Sequence, residues 1–405
     1  MAAPARRVSA RLSAIAPSAT LAVDARAKEL KAAGRPVIGF GAGEPDFPTP
    51  DYIVEAAVAA AKDPKNHRYS PAAGLPELRE AIAAKTLRDS GVSLEAAQVL
   101  VTNGGKQAVY NAFAALLDPQ DEVLVPAPYW TTYPEAIRLA GGVPVEVFAG
   151  PEQGYKVTVD QLDEAVTDRT KVLLFVSPSN PTGAVYSREV LEGIANIARE
   201  HELMVLADEI YDRVLYDGAS HTSMAEIAPD LICITFNGLS KAYRVCGYRA
   251  GWMVLTGPKH HARGFIEGLE LLAGTRLCPN VPAQHAIQVA LGGRQSIYEL
   301  TGTGGRLLRQ RNIAYEKLNE IPGVSAVKPM GSLYLFPRLD PNVYEIHDDA
   351  KLMLDILKAE KILMVQGTGF NWPNPDHFRV VTLPWASQIE NAIERLGNFL
   401  VSYKQ

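Results

Sequence analysis

The stretch KVLLFVSPSNPTGAVYSREVLEGIANIAREHELMVLADE, residues 171–209, decides the fold. It begins with an apolar, β-branched run at 171–177, continues with apolar residues at helical spacing at 188–201, and ends with a second apolar run at 203–209. Two nearly continuous apolar runs joined by a helix are typical of parallel strands that are buried on both faces. The stretch therefore predicts one β-α-β unit of an α/β fold.

The same alternation continues on both sides of this unit. Further apolar runs, each separated from the next by a helix-like or loop segment, are VLVTN (99–103), EVLVPA (122–127), VPVEVF (143–148), ICITFN (232–237) and YRAGWMVL (248–255). Strands that alternate with helices form a sheet with helices on both faces. The sequence thus predicts a large α/β domain with a mostly parallel central sheet.

Beyond about residue 300 the pattern changes to that of a smaller α+β region. A polar helix at 306–320 leads to the strand-like stretches SLYLFPRL (332–339) and HFRVVTLP (377–384), with a helix from Asp348 to Glu360 between them. Since a single core rarely grows beyond roughly 250–300 residues, we expect two domains. They are a large domain at 47–299, and a small domain of 300–405 together with an N-terminal arm, 1–46.

Composition and charge exclude several classes of protein. The chain of 405 residues is 47% apolar and 21% charged, which is typical of globular proteins and not of disordered or fibrous ones. Lys and Arg minus Asp and Glu gives 40 − 45 = −5, so no basic surface is expected for nucleic acid or an anionic membrane. Three cysteines form no disulfide framework and fit a reducing, cytoplasmic location. No P-loop and no H-E-x-x-H metal motif occurs, so we expect no metal site.

Polar and aromatic residues follow the predicted strands at the edge where α/β sheets bind ligands. They are Gly104, Gly105, Lys106, Trp130, Asn180, Asp208, Tyr211, Ser240, Lys241 and Arg249, the last of which is expected to begin a strand. Singly, each has an ordinary alternative, such as a solvated lysine, a core tryptophan, a helix-capping aspartate or a turn. Together they suit a cofactor with a phosphate, a planar ring and an aldehyde. A glycine turn at a helix start binds phosphate, a buried carboxylate keeps a ring nitrogen protonated, and a lysine amine attacks the aldehyde.

Three stretches resemble the fold-type I, pyridoxal-phosphate-dependent class I aminotransferases. They are SPSNPTGAVY (177–186), ADEIYDRVLY (207–216) and FNGLSKAYRVCGYRAGW (236–252), and the resemblance extends from about residue 17 to the end of the chain. It implies the fold-type I fold and the cofactor pyridoxal 5'-phosphate. It also implies amino acid and 2-oxo acid substrates, exchanged in a ping-pong mechanism on a homodimer with shared active sites.

The resemblance implies catalytic and ring-binding roles for individual residues. Lys241 would bond covalently to the cofactor aldehyde and would move the substrate proton. Asp208 would pair with the ring nitrogen, and Tyr211 and Asn180 would bond to the ring hydroxyl oxygen. Trp130 would stack on the ring.

The resemblance likewise implies phosphate and substrate ligands. The phosphate would be held by Gly104, Gly105, Lys106, Ser240, Arg249 and, from the neighbouring subunit, Tyr69. Arg379 would bind the substrate α-carboxylate, with Asn180, Trp130 and the backbone of Gly43 beside it. Many relatives carry a phosphate-binding serine three residues before the lysine, where this chain has Gly238.

The two halves of the chain resemble different branches of the family. The first half, with GAGEPDFPTP at 41–50, is similar to bacterial aspartate aminotransferases, and the half after NPTGAVYSRE (180–189) is similar to bacterial alanine aminotransferases. The chain is therefore interpreted as a mosaic. Lys106 and Thr20 match positions that can approach a distal carboxylate in the aspartate branch, which favours aspartate with 2-oxoglutarate. The alternatives are alanine with 2-oxoglutarate, and a pyridoxal-phosphate-dependent lyase on the same fold.

Overall fold

The computed structural model describes residues 8–15 and 21–405. The strands within these residues are short in the C-terminal region and longer in the middle of the chain. In order they are β1 (Ile38–Gly39), β2 (Val99–Thr102), β3 (Glu122–Ala127), β4 (Val143–Phe148), β5 (Thr170–Val176), β6 (Met204–Asp208), β7 (Cys233–Gly238), β8 (Gly251–Thr256), β9 (Val324–Ser325), β10 (Tyr334–Leu335), β11 (Arg338–Leu339), β12 (Ile362–Leu363), β13 (Val365–Gln366) and β14 (Phe378–Val381).

Helices separate most of these strands. In order they are α1 (Ala10–Ser13), α2 (Leu21–Ala32), α3 (Asp51–Lys62), α4 (Pro76–Ser90), α5 (Gly105–Leu116), α6 (Thr132–Ala140), α7 (Val159–Glu164), α8 (Arg188–Glu200), α9 (Met224–Ile227), α10 (Arg263–Thr275), α11 (Val281–Gly292), α12 (Ile297–Thr301), α13 (Arg306–Asn319), α14 (Asp349–Glu360) and α15 (Ala386–Ser402). Within the described ranges, none of them combines the length and the apolar character that a membrane crossing requires.

The central sheet has seven strands in the order β2-β8-β7-β6-β5-β3-β4. Its strands are parallel except β8, which runs antiparallel to both of its neighbours. Along β5, Leu173 and Phe175 pack into one hydrophobic cluster while Val172 and Leu174 pack into another on the opposite face. Because both faces are covered, every position of β5 from Val172 to Val176 is apolar and buried. The α/β class with a mostly parallel sheet is confirmed.

The helix after β5 forms for local reasons that are visible in the sequence. The side chain of Ser187 accepts a hydrogen bond from the backbone of Val190 and so caps α8. Leu191, Ile194 and Ile197 recur at helical spacing and are buried against the sheet. The expected helix at 188–201 therefore ends one residue early, at Glu200.

The prediction for YRAGWMVL at 248–255 was partly wrong. Tyr248 ends a 3-10 helix, Arg249 has a left-handed backbone (φ 50°), and the strand begins only at Gly251. Arg249 therefore precedes the strand instead of beginning it. Because β8 is antiparallel, its beginning lies at the same edge of the sheet as the carboxyl ends of the parallel strands.

The C-terminal region packs around its own hydrophobic cluster, which includes residues from both ends of the chain. Phe40 is buried there beside α13, α14 and α15, and β1 pairs in parallel with β12. The stretch expected as one strand at 332–339 divides into β10 and β11, which pair with different partners. The grouping of an N-terminal segment with the C-terminal region fits this cluster, and the domain limits 47–299, 1–46 and 300–405 stay predictions.

Candidate active site

One end of the site is built on the start of α5. Gly104 caps this helix with a left-handed backbone (φ 86°), and a side-chain carbon at this position would overlap Nη2 of Arg249. The glycine thus lets the guanidinium approach the unpaired N–H groups of the helix start, which attract anions. The guanidinium also donates from Nη1 to the carbonyl of Cys246 at 2.8 Å.

Three cations gather at this end. Burial lowers the pKa of Lys106, and the charges of Arg249 and Lys241 lower it further. Such mutual repulsion has a cost that a bound dianion would relieve. The Nζ of Lys106 also lies 4.9 Å from the centre of the Trp130 ring. The donor set therefore fits a phosphate group.

Gly238 departs from the serine of many relatives, and its surroundings give a physical reason. A side-chain carbon at Gly238 would lie 2.8 Å from the carbonyl oxygen of Ala250 and 3.1 Å from the Cα of Gly251. Both contacts are with backbone atoms at the start of β8 and just before it, which cannot move aside as a flexible side chain can. The present packing of β7 against β8 thus favours glycine here.

A buried carboxylate occupies the opposite side of the site. Asp208, the last residue of β6, accepts a hydrogen bond from the hydroxyl of Tyr133 at 2.6 Å and another from the backbone of Ile210 at 3.1 Å. Burial raises the pKa of Asp208, against the opposing effect of these bonds. Its partners are neutral, so a protonated ring nitrogen would supply the missing opposite charge.

An amine lies between these two ends. Lys241 follows β7, and its Nζ donates to the carbonyl oxygen of Gly43 at 2.5 Å and lies 5.7 Å from the centre of the Tyr211 ring. The hydroxyl of Tyr211 is bonded to that of Tyr334 at 2.6 Å. An amine at the wall of a cavity, beside the phenol ring of Tyr211, is suited to covalent chemistry with an aldehyde.

A buried arginine from the C-terminal region completes the site. Arg379, on β14, donates from Nη1 to the side-chain oxygen of Asn180 at 2.9 Å and from Nη2 to the carbonyl of Gly41. Its guanidinium carbon lies 4.5 Å from the ring centre of Tyr334 and 4.6 Å from that of Phe370. The backbone carbonyl beside Arg379 thus belongs to Gly41, whereas that of Gly43 contacts Lys241.

These groups surround one cavity of about 690 Å³. The predicted residues in its wall are Gly43, Gly105, Lys106, Trp130, Asn180, Asp208, Tyr211, Ser240, Lys241, Arg249 and Arg379. Gly104 is not among the wall residues and immediately precedes Gly105 as the cap of α5. Tyr69 is not part of the wall and its side chain is exposed (78%), and Thr20 lies outside the described residues.

Several residues of the site were missed by sequence reasoning. Tyr133 and Tyr334 supply the hydroxyl partners of Asp208 and Tyr211, and Phe370 forms the wall below Arg379. Tyr334 lies in a stretch that was interpreted only as a strand. Its alternating apolar pattern gave no signal of a polar contact, whereas the position of Tyr133 soon after Trp130 offered a weak one.

The phosphate-like cradle, the buried carboxylate and the amine lie within one cavity, and together they fit pyridoxal phosphate. The family described as Aminotransferase class I and II matches residues 35–396. The chain belongs to this aminotransferase family. Enzymes of this family and fold depend on pyridoxal phosphate, so the chain is a pyridoxal-phosphate-dependent transaminase.

Individual relatives support the same assignment of family. The chain is 53% identical to an alanine aminotransferase of Mycobacterium tuberculosis over 387 residues, which cover 95% of this chain and 90% of that one. It is also 53% identical to an aspartate aminotransferase of Streptomyces avermitilis over 376 residues, which cover 91% and 90%. A crystal structure of an aminotransferase from Escherichia coli matches with a TM-score of 0.95 and 46% identity, over 98% of this chain and 99% of that one. Since these identities are averages over whole aminotransferases, the mosaic stays a prediction.

Proposed function

We propose that this aminotransferase moves an amino group between an L-amino acid and 2-oxoglutarate in a ping-pong mechanism, with aspartate as the favoured donor. The observation that carries the proposal is the meeting of Lys241, Asp208 and Arg379 around one cavity. When bound, the cofactor supplies an aldehyde that accepts the amino group and a ring that accepts an electron pair. The residues around the cavity bind, orient and move protons.

The binding of the cofactor is assigned to two ends of the cavity. The helix start at Gly105, with Lys106, Ser240 and Arg249, would hold the phosphate through N–H groups and positive charge. At the other end Asp208 would hold the ring nitrogen in its protonated form. The burial that raises the pKa of Asp208 strengthens this pairing once an opposite charge is present.

Proton transfer is assigned to Lys241. Its Nζ, released when the amino acid takes its place, would remove the proton from the substrate Cα. The Tyr211 hydroxyl lies on the same side of the cavity, and burial raises the pKa of Tyr211 well above its usual range. Tyr211 therefore stays protonated and can donate a hydrogen bond to an oxygen of the cofactor ring.

Orientation of the substrate is assigned to Arg379. Its planar guanidinium offers two parallel N–H donors to a carboxylate, and Asn180 fixes one of its nitrogens at 2.9 Å. A carboxylate fixed there would hold the Cα of the substrate in one orientation toward Lys241 and toward the cofactor that the site would bind.

The preference for aspartate is supported by Lys106. This lysine lines the cavity, and a carboxylate bound beside it would offset the repulsion from Arg249 and Lys241 that contributes to its lowered pKa. Alanine with 2-oxoglutarate is the second candidate, favoured by the identity to the alanine aminotransferase of Mycobacterium tuberculosis. Glutamate and 2-oxoglutarate are common to both reactions.

We further propose a homodimer with shared active sites, in which Tyr69 reaches the phosphate of the neighbouring subunit. Its exposed position outside the cavity of its own subunit supports this role. A cytoplasmic location is proposed as well, because Cys233, Cys246 and Cys278 are all free thiols.

A half-reaction assay tests the mechanism. The cofactor-loaded protein, mixed with glutamate alone, should release 2-oxoglutarate and convert the cofactor to its amino form. Lys241→Ala should bind cofactor noncovalently and lose steady-state turnover, whereas Lys259→Ala, which removes an exposed lysine paired with Glu95, should retain it. If glutamate leaves the cofactor unchanged and serine, a β-substituted alanine, instead releases ammonia and pyruvate, the protein would be a lyase.

A panel of amino donors with 2-oxoglutarate tests the substrate. Because a hydrogen bond to a charged group contributes about 1.5–3 kcal/mol, Lys106→Ala should lower kcat/KM for aspartate at least about tenfold relative to alanine. Lys259→Ala serves as the control. A preference for alanine that Lys106→Ala does not alter would replace aspartate by alanine as the donor.

A further inference from the structure

A tyrosine far along the chain from Arg379 contacts His377, the residue just before the strand that carries Arg379. Tyr155 lies between β4 and α7, has a left-handed backbone (φ 57°) and is buried (5% exposed). A bulky residue rarely adopts this conformation unless surrounding contacts compensate for the strain. The contacts that Tyr155 makes are therefore expected to compensate for its backbone conformation.

The hydroxyl of Tyr155 joins two segments of the C-terminal region. It donates to the carbonyl oxygen of Phe336 at 2.9 Å and lies 3.1 Å from Nε2 of His377. On its other side, Nδ1 of His377 lies 2.7 Å from a carboxylate oxygen of Asp376. The same carboxylate oxygen accepts a hydrogen bond from the indole of Trp372 at 2.8 Å.

These residues form a continuous set of ring contacts, which we call the aromatic latch: Tyr155, Phe336, Phe370, Trp372 and His377. The His377 ring stacks on Phe336 with centres 4.9 Å apart, and Phe336 meets Phe370 edge-on at 6.0 Å. Phe370 in turn lies 4.6 Å from the guanidinium carbon of Arg379.

The latch reaches Arg379 by two routes and spans two regions of the molecule. His377 stands two residues before Arg379, next to β14, while Phe370 forms a face of the pocket in which the guanidinium lies. The carbonyl of Phe370 also accepts a hydrogen bond from the backbone of Tyr129 at 3.3 Å. The latch thus fastens the strand of Arg379 to the segments around Tyr129 and Tyr155, which follow strands of the central sheet.

We propose that Tyr155 is a positioning residue that fixes Arg379 for the substrate carboxylate through the aromatic latch. This inference rests on the proposed function of Arg379. Every substrate of the enzyme carries an α-carboxylate that Arg379 would bind. Loss of the Tyr155 contact should therefore weaken the binding of amino acids and of 2-oxo acids alike. Arg379 keeps its direct contacts with Asn180 and Gly41 when the latch is weakened. The carboxylate should therefore be bound less tightly but in the same orientation, and the chemical step should change little.

The first test is Tyr155→Phe, which keeps the ring and removes the hydroxyl. Loss of one such hydrogen bond should raise KM for glutamate and for 2-oxoglutarate about three- to tenfold, with kcat within about twofold of the unmodified enzyme. The dissociation constant of succinate, an unreactive dicarboxylate, should rise by the same factor when followed by tryptophan fluorescence. Tyr186→Phe is the matched control, since Tyr186 is equally buried, meets Phe175 edge-on and bonds to the backbone of Val157.

A double variant separates positioning from general loss of packing. His377→Phe keeps the stack on Phe336. Combined with Tyr155→Phe it should raise KM by less than the product of the two single effects, because either change alone breaks the contact between Tyr155 and His377. An unchanged KM and succinate affinity in Tyr155→Phe would overturn the inference, as would an equal rise in Tyr186→Phe or additive effects in the double variant. Failure of the proposed function would appear differently, as an unmodified protein that does not convert glutamate at all.

Discussion

Asp208 and Asp212 are two buried carboxylates in the same segment, yet their surroundings move their pKa values in opposite directions. The whole residue Asp208 has an exposed fraction of 6%, and the side chain of Asp212 has an exposed fraction of 11%. Burial raises the pKa of Asp208 and its hydrogen bonds only partly oppose this. Burial also raises the pKa of Asp212, but the nearby cations, with Lys85 foremost, outweigh it and leave that pKa below its usual value.

The difference lies in the partners and not in the depth of burial. An oxygen of Asp212 accepts hydrogen bonds from Nζ of Lys85 at 3.1 Å and from the side chain of Asn237 at 2.9 Å. Among the described residues, no lysine or arginine forms an ion pair with Asp208, whose side-chain partner is the neutral hydroxyl of Tyr133. A buried carboxylate that is ion-paired with a lysine of the protein contributes to the stability of the fold. A buried carboxylate without such a pair can bind a positively charged group of a ligand.

The largest expected effect comes from removing the ligand-facing charge. Asp208→Asn should lower kcat by on the order of 10²–10³-fold, because a buried electrostatic partner of the reacting system is lost. The cofactor-free protein should be as stable as before or more so, since a buried carboxylate without a cation is removed. Single-turnover kinetics and urea unfolding measure the two quantities, and a kcat within tenfold of the unmodified enzyme would contradict the role of Asp208.

Sequence patterns identified the sheet because most of its strands consist of buried apolar residues. EVLVPA corresponds to β3 residue for residue, and all six of its positions are buried. VPVEVF corresponds to β4 residue for residue as well, although this strand lies at the edge of the sheet and is mostly half-buried. The direction of β8 was not predictable in this way. The apolar pattern of a strand is the same whether the strand is parallel or antiparallel to its neighbours. Only the antiparallel pairing of β8 with β7 shows that Arg249 lies at the ligand-binding edge of the sheet.

The candidate site was predictable where residues follow strands, as Asp208 and Lys241 do. The resemblance added Arg379, which no pattern of spacing would have selected. Contacts between distant segments were not predictable, because nothing in the sequence near Tyr334 indicates that its hydroxyl meets that of Tyr211. The partnership of Lys85 with Asp212 is of the same kind, since it joins residues 127 positions apart.

The second-largest expected effect is a loss of stability on removing the carboxylate of Asp212, the ion-pair partner of Lys85. Asp212→Asn leaves the buried ammonium of Lys85 with Asp89, at 3.2 Å, as its remaining carboxylate partner among the described residues. It should lower the free energy of unfolding by about 1.5–3 kcal/mol, the contribution of a hydrogen bond to a charged group. Lys85→Met combined with Asp212→Asn should recover part of this loss, because the ammonium that lost a partner is then gone. Urea unfolding of the two variants is the measurement. Equal stability of Asp212→Asn and the unmodified protein would show that Asp212, like Asp208, has no effective cation.

The smallest effect is a pH dependence of opposite sign for the two groups. The folded pKa of Asp208 lies above the ordinary value of 3.8, so the unfolded chain loses its proton first and stability falls as pH rises through the interval above 3.8. The folded pKa of Asp212 lies below 3.8, so its contribution is present above 3.8 and is lost as pH falls below it. In cofactor-free protein, Asp208→Asn should therefore gain stability relative to the unmodified protein as pH rises from about 4, by about 1.4 kcal/mol for each unit of pKa difference. Bound cofactor should remove that gain, because a protonated ring nitrogen beside Asp208 favours the ionised carboxylate, whereas the dependence due to Asp212 should persist in both forms.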